Sequence, residues 1–130
     1  MSPAPWRVVI ADDDDDIRML MEIAVRKAGM ELVAVADNGE NALEAIRRTR
    51  PTLALLDVSM PGLTGLDVCR AARLEPGLAG MTILVLSAGV DEASQEAAAS
   101  AGADGFLSKP FSPKKLADRL AALSIAEGSG

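Results

Sequence analysis

The chain has 130 residues, the size of one ordinary domain, and 49% of them are hydrophobic, enough for a core of its own. Its net charge is −6 at a pI of about 4.6, so no excess of Lys and Arg exists to release counterions from a nucleic-acid backbone. It has no histidine and one cysteine, Cys69, which excludes Ser-His-Asp and Cys-His catalysis and an intrachain disulfide, and argues against a cysteine-based zinc site.

Met1–Pro5 lacks the basic start of a signal peptide, and no apolar run approaches the ~18 residues of a membrane span. A cytoplasmic protein with no membrane partner is expected. Val8–Ala11 reads as the first strand. Ile17, Leu20, Met21, Ala24 and Ala28 then repeat at helical spacing, with Gly29 as the stop. Leu32–Ala36 is the second strand. The segment from Asn38 to Arg48 carries Ala42, Ala45 and Ile46 on one helical face. Leu53–Leu56 is the third strand, and Leu66, Cys69 and Ala72 mark the third helix. Ile83–Leu86 is the fourth strand, followed by an Ala-rich helix from Glu92 to Ala101 that ends at Gly102. Gly105–Leu107 is a weaker fifth strand. Leu116, Leu120 and Leu123 mark the last helix, with Ser112 as its cap and Pro113 at its first position.

The strand segments are nearly continuous in hydrophobicity, as strands buried on both faces are. Five strands alternating with five helices predict an α/β fold: one parallel sheet, helices on both faces, right-handed crossovers. Residues 1–6 are read as an N-terminal tail, 7–124 as the domain, and 125–130, ending Gly128-Ser129-Gly130, as a flexible tail or linker.

In such a sheet, ligands bind outside the carboxyl ends of the strands. The first strand ends in Asp12-Asp13, the third in Asp57 and the fourth in Ser87, and Lys109 follows the fifth. Three carboxylates, a hydroxyl and an ammonium thus converge from distant parts of the chain. Two carboxylates ~4 Å apart repel by ~4 kcal/mol at an effective dielectric of 20, so three together need a cation or take up protons. Hard oxygen ligands on few residues suit Mg²⁺, with Mn²⁺ as the substitute. A carboxylate in that setting can act as a nucleophile and form an aspartyl phosphate. Lys109 and the Ser87 hydroxyl would bind the phosphoryl oxygens, and Ala88 leaves room for the group to enter.

The segments Val8–Asp13, Leu53–Asp57 followed by Val58-Ser59-Met60-Pro61-Gly62, Leu84–Ala88 and Gly102–Phe111 resemble the receiver domain of bacterial two-component response regulators, of the chemotaxis-regulator kind. The likeness runs from about Arg7 to Leu123. It implies a flavodoxin-like (βα)5 three-layer sandwich with strand order 2-1-3-4-5. It also implies Asp57 as phosphoacceptor, Asp13 as direct metal ligand, Asp12 acting mainly through water, and the Ser59 backbone carbonyl on the metal. Ser87 resembles the switch hydroxyl, Lys109 the phosphoryl-binding lysine, and Phe106 the aromatic switch residue; the Lys109-Pro110 bond is expected to be cis. The implied partners are a histidine kinase or a histidine-containing phosphotransfer protein, and a downstream output protein or fused output domain. No direct nucleic-acid binding is expected, and the receiver would be a monomer or a phosphorylation-dependent dimer. Phosphorylation would shift the loop after the fourth strand and the face made by the fourth helix, fifth strand and fifth helix.

Two positions depart from the commonest receiver pattern: Phe106 stands where Tyr is frequent, and Ser87 where Thr is frequent. Ser lacks the methyl group that displaces the aromatic ring. The run Asp12–Asp16 fails as a calcium loop, because Ile17 replaces the turn glycine and Ile23 the twelfth-position Glu. Asp14, Asp15 and Asp16 instead suit the start of the first helix. Two other functions fit less well. A scaffold that no longer takes phosphate would be signalled by a lost acid or lysine, and none is lost. A phosphatase acting on outside substrates would need a cap that these short loops do not provide.

Overall fold

The structure, a computed structural model, describes residues 5–88 and 92–128, with side chains as far as Leu123. Most of the N-terminal tail, residues 89–91 of the loop expected to move, and Ser129-Gly130 lie outside the described residues.

The elements run β1 (Arg7–Ala11), α1 (Asp15–Lys27), β2 (Glu31–Ala36), α2 (Gly39–Thr49), β3 (Leu53–Asp57), α3 (Gly65–Arg73), a 3-10 turn (Pro76–Leu78), β4 (Thr82–Ser87), α4 (Glu92–Ser100), β5 (Gly105–Ser108) and α5 (Pro113–Gly128). All five strands are parallel, in the order β2-β1-β3-β4-β5. This is the flavodoxin-like fold that the sequence predicts.

Successive residues of the inner strands feed opposite cores. Val9, Ala11, Ala54, Leu56, Ile83 and Val85 pack beneath α2, α3 and α4. Val8, Ile10, Leu53, Leu55, Leu84 and Leu86 pack beneath α1 and α5. All twelve are fully buried, and this two-sided burial makes their sequences continuously apolar.

The edge strands break that pattern. In β2 a register shift opposite Val8 and Val9 turns both Val33 and Ala34 toward the α2 side, and Val35 is left exposed. The expectation of burial on both faces therefore holds for β1, β3 and β4 but not for β2 or the partly exposed β5. Helix α5 continues to Gly128, so residues 125–128, read as the start of a flexible tail, are helical.

The helix ends follow from local chemistry. Asp14 caps α1 by accepting from the amides of Asp16 and Ile17. Asn38 caps α2, and Thr64 and Asp67 form a reciprocal capping box on α3. Ser112 accepts from the Lys115 amide at the head of α5. The expected cis Lys109-Pro110 bond is present.

Candidate functional site

The acidic turn begins where β1 ends. Asp12 is fully buried and Asp13 exposed. The turn is held at three points: the Asp12 amide donates to the Ala36 carbonyl at 3.2 Å, the Asp14 amide to Asp12 Oδ1 at 2.9 Å, and Arg18 Nη1 to the Asp12 carbonyl at 2.9 Å. Asp57 closes β3 beside it and is 3% exposed.

Lys109 joins the two buried acids. Its Nζ lies 2.8 Å from Asp12 Oδ2 and 2.9 Å from Asp57 Oδ1. Its backbone amide donates to the Ser87 carbonyl at 2.8 Å, which fixes the β5–α5 loop against the end of β4. Burial pushes the Asp57 carboxyl above the usual carboxylate range; the Lys109 hydrogen bond opposes this, and the nearby Asp12 and Asp13 charges add to it. For Lys109, burial pulls the ammonium down, but its bonds to Asp12 and Asp57 outweigh that and hold it above its ordinary value.

One carboxylate oxygen each from Asp12, Asp13 and Asp57 lies within 4.8 Å of the others. That spacing and donor set fit a hard cation such as Mg²⁺, which takes few carboxylates and keeps several waters. The raised Asp57 carboxyl is due first to burial; the Asp12 and Asp13 charges that add to it are the ones a bound cation would offset.

Ser87 sits at the end of β4, one residue beyond Leu86, the register partner of Asp57. Ser59 is exposed on the β3–α3 loop. Phe106 is half-buried, with its side chain turned to the α4 side of the sheet. It lines a cavity of about 210 Å³ with Gln95, Ala98, Ala99 and Ala103. The sequence-predicted acids and Lys109 are thus brought together at one sheet edge, and Phe106 lies on a separate face.

Two contributors were not read from the sequence. Gly65 is the first residue of α3, and its amide bonds the Val58 carbonyl; any Cβ there would clash with the Asp57 carbonyl oxygen. Arg18 is the other, an arginine between Ile17 and Met19 that looks like an ordinary helix-surface residue. Its only signal was a position one turn into the helix behind the acidic run.

The model of the response regulator receiver domain family matches residues 8–121. The chain belongs to that family. Among its curated relatives, the DNA-binding response regulator MtrA of Mycolicibacterium smegmatis is 37% identical over 116 residues, 89% of this chain and 49% of the relative. The transcriptional regulatory protein GltR of Pseudomonas aeruginosa is 38% identical over 123 residues, 95% of this chain and 50% of the relative. This receiver spans about half the length of the curated relatives it matches. Among solved structures, the chemotaxis response regulator CheY4 of Vibrio cholerae superposes with a TM-score of 0.85 at 28% identity, covering 92% of this chain and 98% of that one. A response regulator from Chloroflexus aurantiacus gives 0.83 at 36% identity, covering 91% and 96%. The receiver is a signalling module of two-component systems, and among its described residues no helix is long and apolar enough to cross a membrane.

Proposed function

We propose that this receiver accepts a phosphoryl group on Asp57 from a phosphohistidine of a partner histidine kinase or phosphotransfer protein in the cytoplasm. The observation that carries this reading is the buried Asp12–Lys109–Asp57 bridge beside Asp13, at the carboxyl edge of a parallel sheet. Asp12, Asp13, Asp57 and the Ser59 carbonyl would hold Mg²⁺, which supplies neutralisation of the phosphoryl charge.

An Asp57 oxygen attacks phosphorus; the O–P bond forms as the donor's P–N bond breaks, and the imidazole departs neutral with the proton already on its other ring nitrogen. Lys109 then turns from the Asp57 carboxylate to the phosphoryl oxygens, and the Ser87 hydroxyl donates to another. These new bonds bias the face made by α4, β5 and α5, with Phe106 as the residue that follows Ser87 inward. That face would signal to an output protein or to an output domain fused as in the longer DNA-binding relatives. The receiver catalyses its own phosphorylation and its own hydrolysis, and turns over no outside substrate.

The test is incubation with Mg²⁺ and a small acyl phosphate, followed by intact-mass measurement. One labile phosphoryl adduct is expected, absent from Asp57→Asn and from samples held in chelator. Mg²⁺ binding without an adduct would favour a scaffold, and continuous turnover of unrelated phosphate esters a phosphatase.

A further inference from the structure

We infer that Arg18 is a positioning residue for the acidic turn, setting where Asp12 and Asp13 present their carboxylates to a divalent cation. This rests on the metal reading above and adds a residue that is not itself a ligand. The Arg18 side chain is 20% exposed. One end of its guanidinium donates to the Asp12 carbonyl at 2.9 Å, and the other pairs with Asp15 in the first turn of α1. The same side chain lines a cavity of about 250 Å³ with Val35, Ala36, Asp37 and Asn41, on the β2 flank of the site. It therefore ties the end of β1 to the start of α1 across the turn that carries Asp13.

Of the three bonds that hold this turn, the other two are made by backbone amides, from Asp12 to the Ala36 carbonyl and from Asp14 to Asp12 Oδ1. Arg18 instead holds the turn through its side chain, by a main-chain carbonyl, and offers no ligand oxygen of its own. Removing it frees the Asp12 carbonyl and loosens the segment on which Asp13 sits, and groups that orient metal ligands typically affect affinity strongly.

Arg18 is also a cation beside an anionic cluster, which gives the test a sign. If charge alone mattered, removing Arg18 would relieve repulsion and tighten Mg²⁺ binding. If positioning dominates, removal weakens it. Mg²⁺ affinity is measured by calorimetric titration of the metal-free protein, with urea unfolding run in parallel. Arg18→Ala is expected to lose about tenfold in affinity, and Arg18→Lys, which keeps charge and a donor, to recover part of the loss. Arg18→Met keeps the apolar stem, and replaces the Ala variant should that one fail to fold. A truncated variant that binds Mg²⁺ as tightly as the unaltered protein, or more tightly, overturns the assignment. No Mg²⁺ binding by the unaltered protein removes the metal reading and this inference with it, whereas normal binding there with no change at Arg18→Ala confines the failure to Arg18.

Discussion

Gly65 sits against the carbonyl oxygen of Asp57, so close that no side chain fits between them. The head of α3 is thereby folded back over the end of β3, and its amide bonds the Val58 carbonyl at 3.1 Å. Gly65→Ala should improve intrinsic helix propensity by about 1 kcal/mol. The obstacle is backbone in a central strand, however, and it cannot give way as a flexible side chain would. Overpacking of this kind costs about 1–3 kcal/mol and should prevail. Urea denaturation is expected to show a lower midpoint, and Mg²⁺ titration a weaker affinity, because the displaced loop carries Ser59.

Asp57→Asn separates the cost of the acidic cluster from its use. The folded-state pKa of Asp57 is raised, chiefly by burial, so the proton is held more tightly in the folded protein than in the unfolded chain. Its contribution favours folding below the unfolded value of 3.8 and is lost as pH rises through the raised folded value. Above the unfolded value the carboxyl is therefore a net burden on the metal-free protein. Asn keeps the volume and removes the charge, and it should raise metal-free stability at neutral pH, with Lys109 still paired to Asp12. It should also flatten that part of the pH profile and reduce the stabilisation that added Mg²⁺ gives. Thermal melts across pH with and without Mg²⁺ check all three; a destabilised Asn variant in chelator would refute the account.

The sequence revealed the chemistry and the inner sheet for one shared reason. Asp57 and Ser87 end β3 and β4, and Asp12 follows β1, each after four consecutive buried apolar residues, so each polar residue stands out against the run before it. Val35 was read as interior because it belongs to such a run, yet β2 is an edge strand and α1 leaves that residue exposed. The 3-10 turn at Pro76–Leu78 escaped because three residues carry no period. Arg18 and Gly65 escaped because each meets a backbone carbonyl, which the fold places and the side-chain pattern does not encode.

Lys109 competes with any metal for the same two carboxylates. Lys109→Met leaves Asp12 and Asp57 without their common cation while keeping the buried stem. Metal-free stability should fall by about 3 kcal/mol, the lower end of the scale for breaking a buried pair, because Lys109 keeps some exposure. Mg²⁺ should bind roughly fivefold more tightly or better, a gain of about 1 kcal/mol in affinity. Calorimetry on the variant decides it, and a weaker affinity would mean that Lys109 orders the carboxylates more than it opposes the ion.

Cys69 lies on the buried face of α3, fully covered, and its thiol donates to the Ala101 carbonyl at 3.2 Å. Burial pushes the thiol above its ordinary value of 9.0. The stability it contributes is complete below pH 9 and declines as pH rises from there toward the folded-state value, because the unfolded chain ionises first. Labelling by a thiol reagent at pH 8 should therefore be slow, and should accelerate with urea in step with unfolding. Rapid labelling in native buffer would contradict this placement.

Arg73 is the counterpart of Arg18 at the other edge of the sheet. From α3 it donates to the carbonyls of Gly102 at 2.8 Å, Ala79 at 3.1 Å and Met81 at 2.6 Å, and it pairs with Asp104 at 2.7 Å. Asp104 in turn accepts from the Ile83 amide at 2.8 Å. One guanidinium thus ties α3 to the start of β4 and to the turn between α4 and β5, at the end of the strands remote from Asp57. Arg73→Ala strands the carbonyls of Gly102 and Met81, both in partly buried bonds, and should cost about 2–3 kcal/mol. Arg73→Lys should recover less than half, since one ammonium cannot reproduce a planar fork aimed at four acceptors. Neither change touches the acidic turn, so Mg²⁺ affinity should stay within twofold or so of the unaltered protein. Stability falling with metal affinity intact at Arg73, set against metal affinity falling at Arg18, is the pattern expected if the two arginines hold opposite ends of the same sheet for different purposes. Parallel urea and calorimetric titrations of the two alanine variants test it directly.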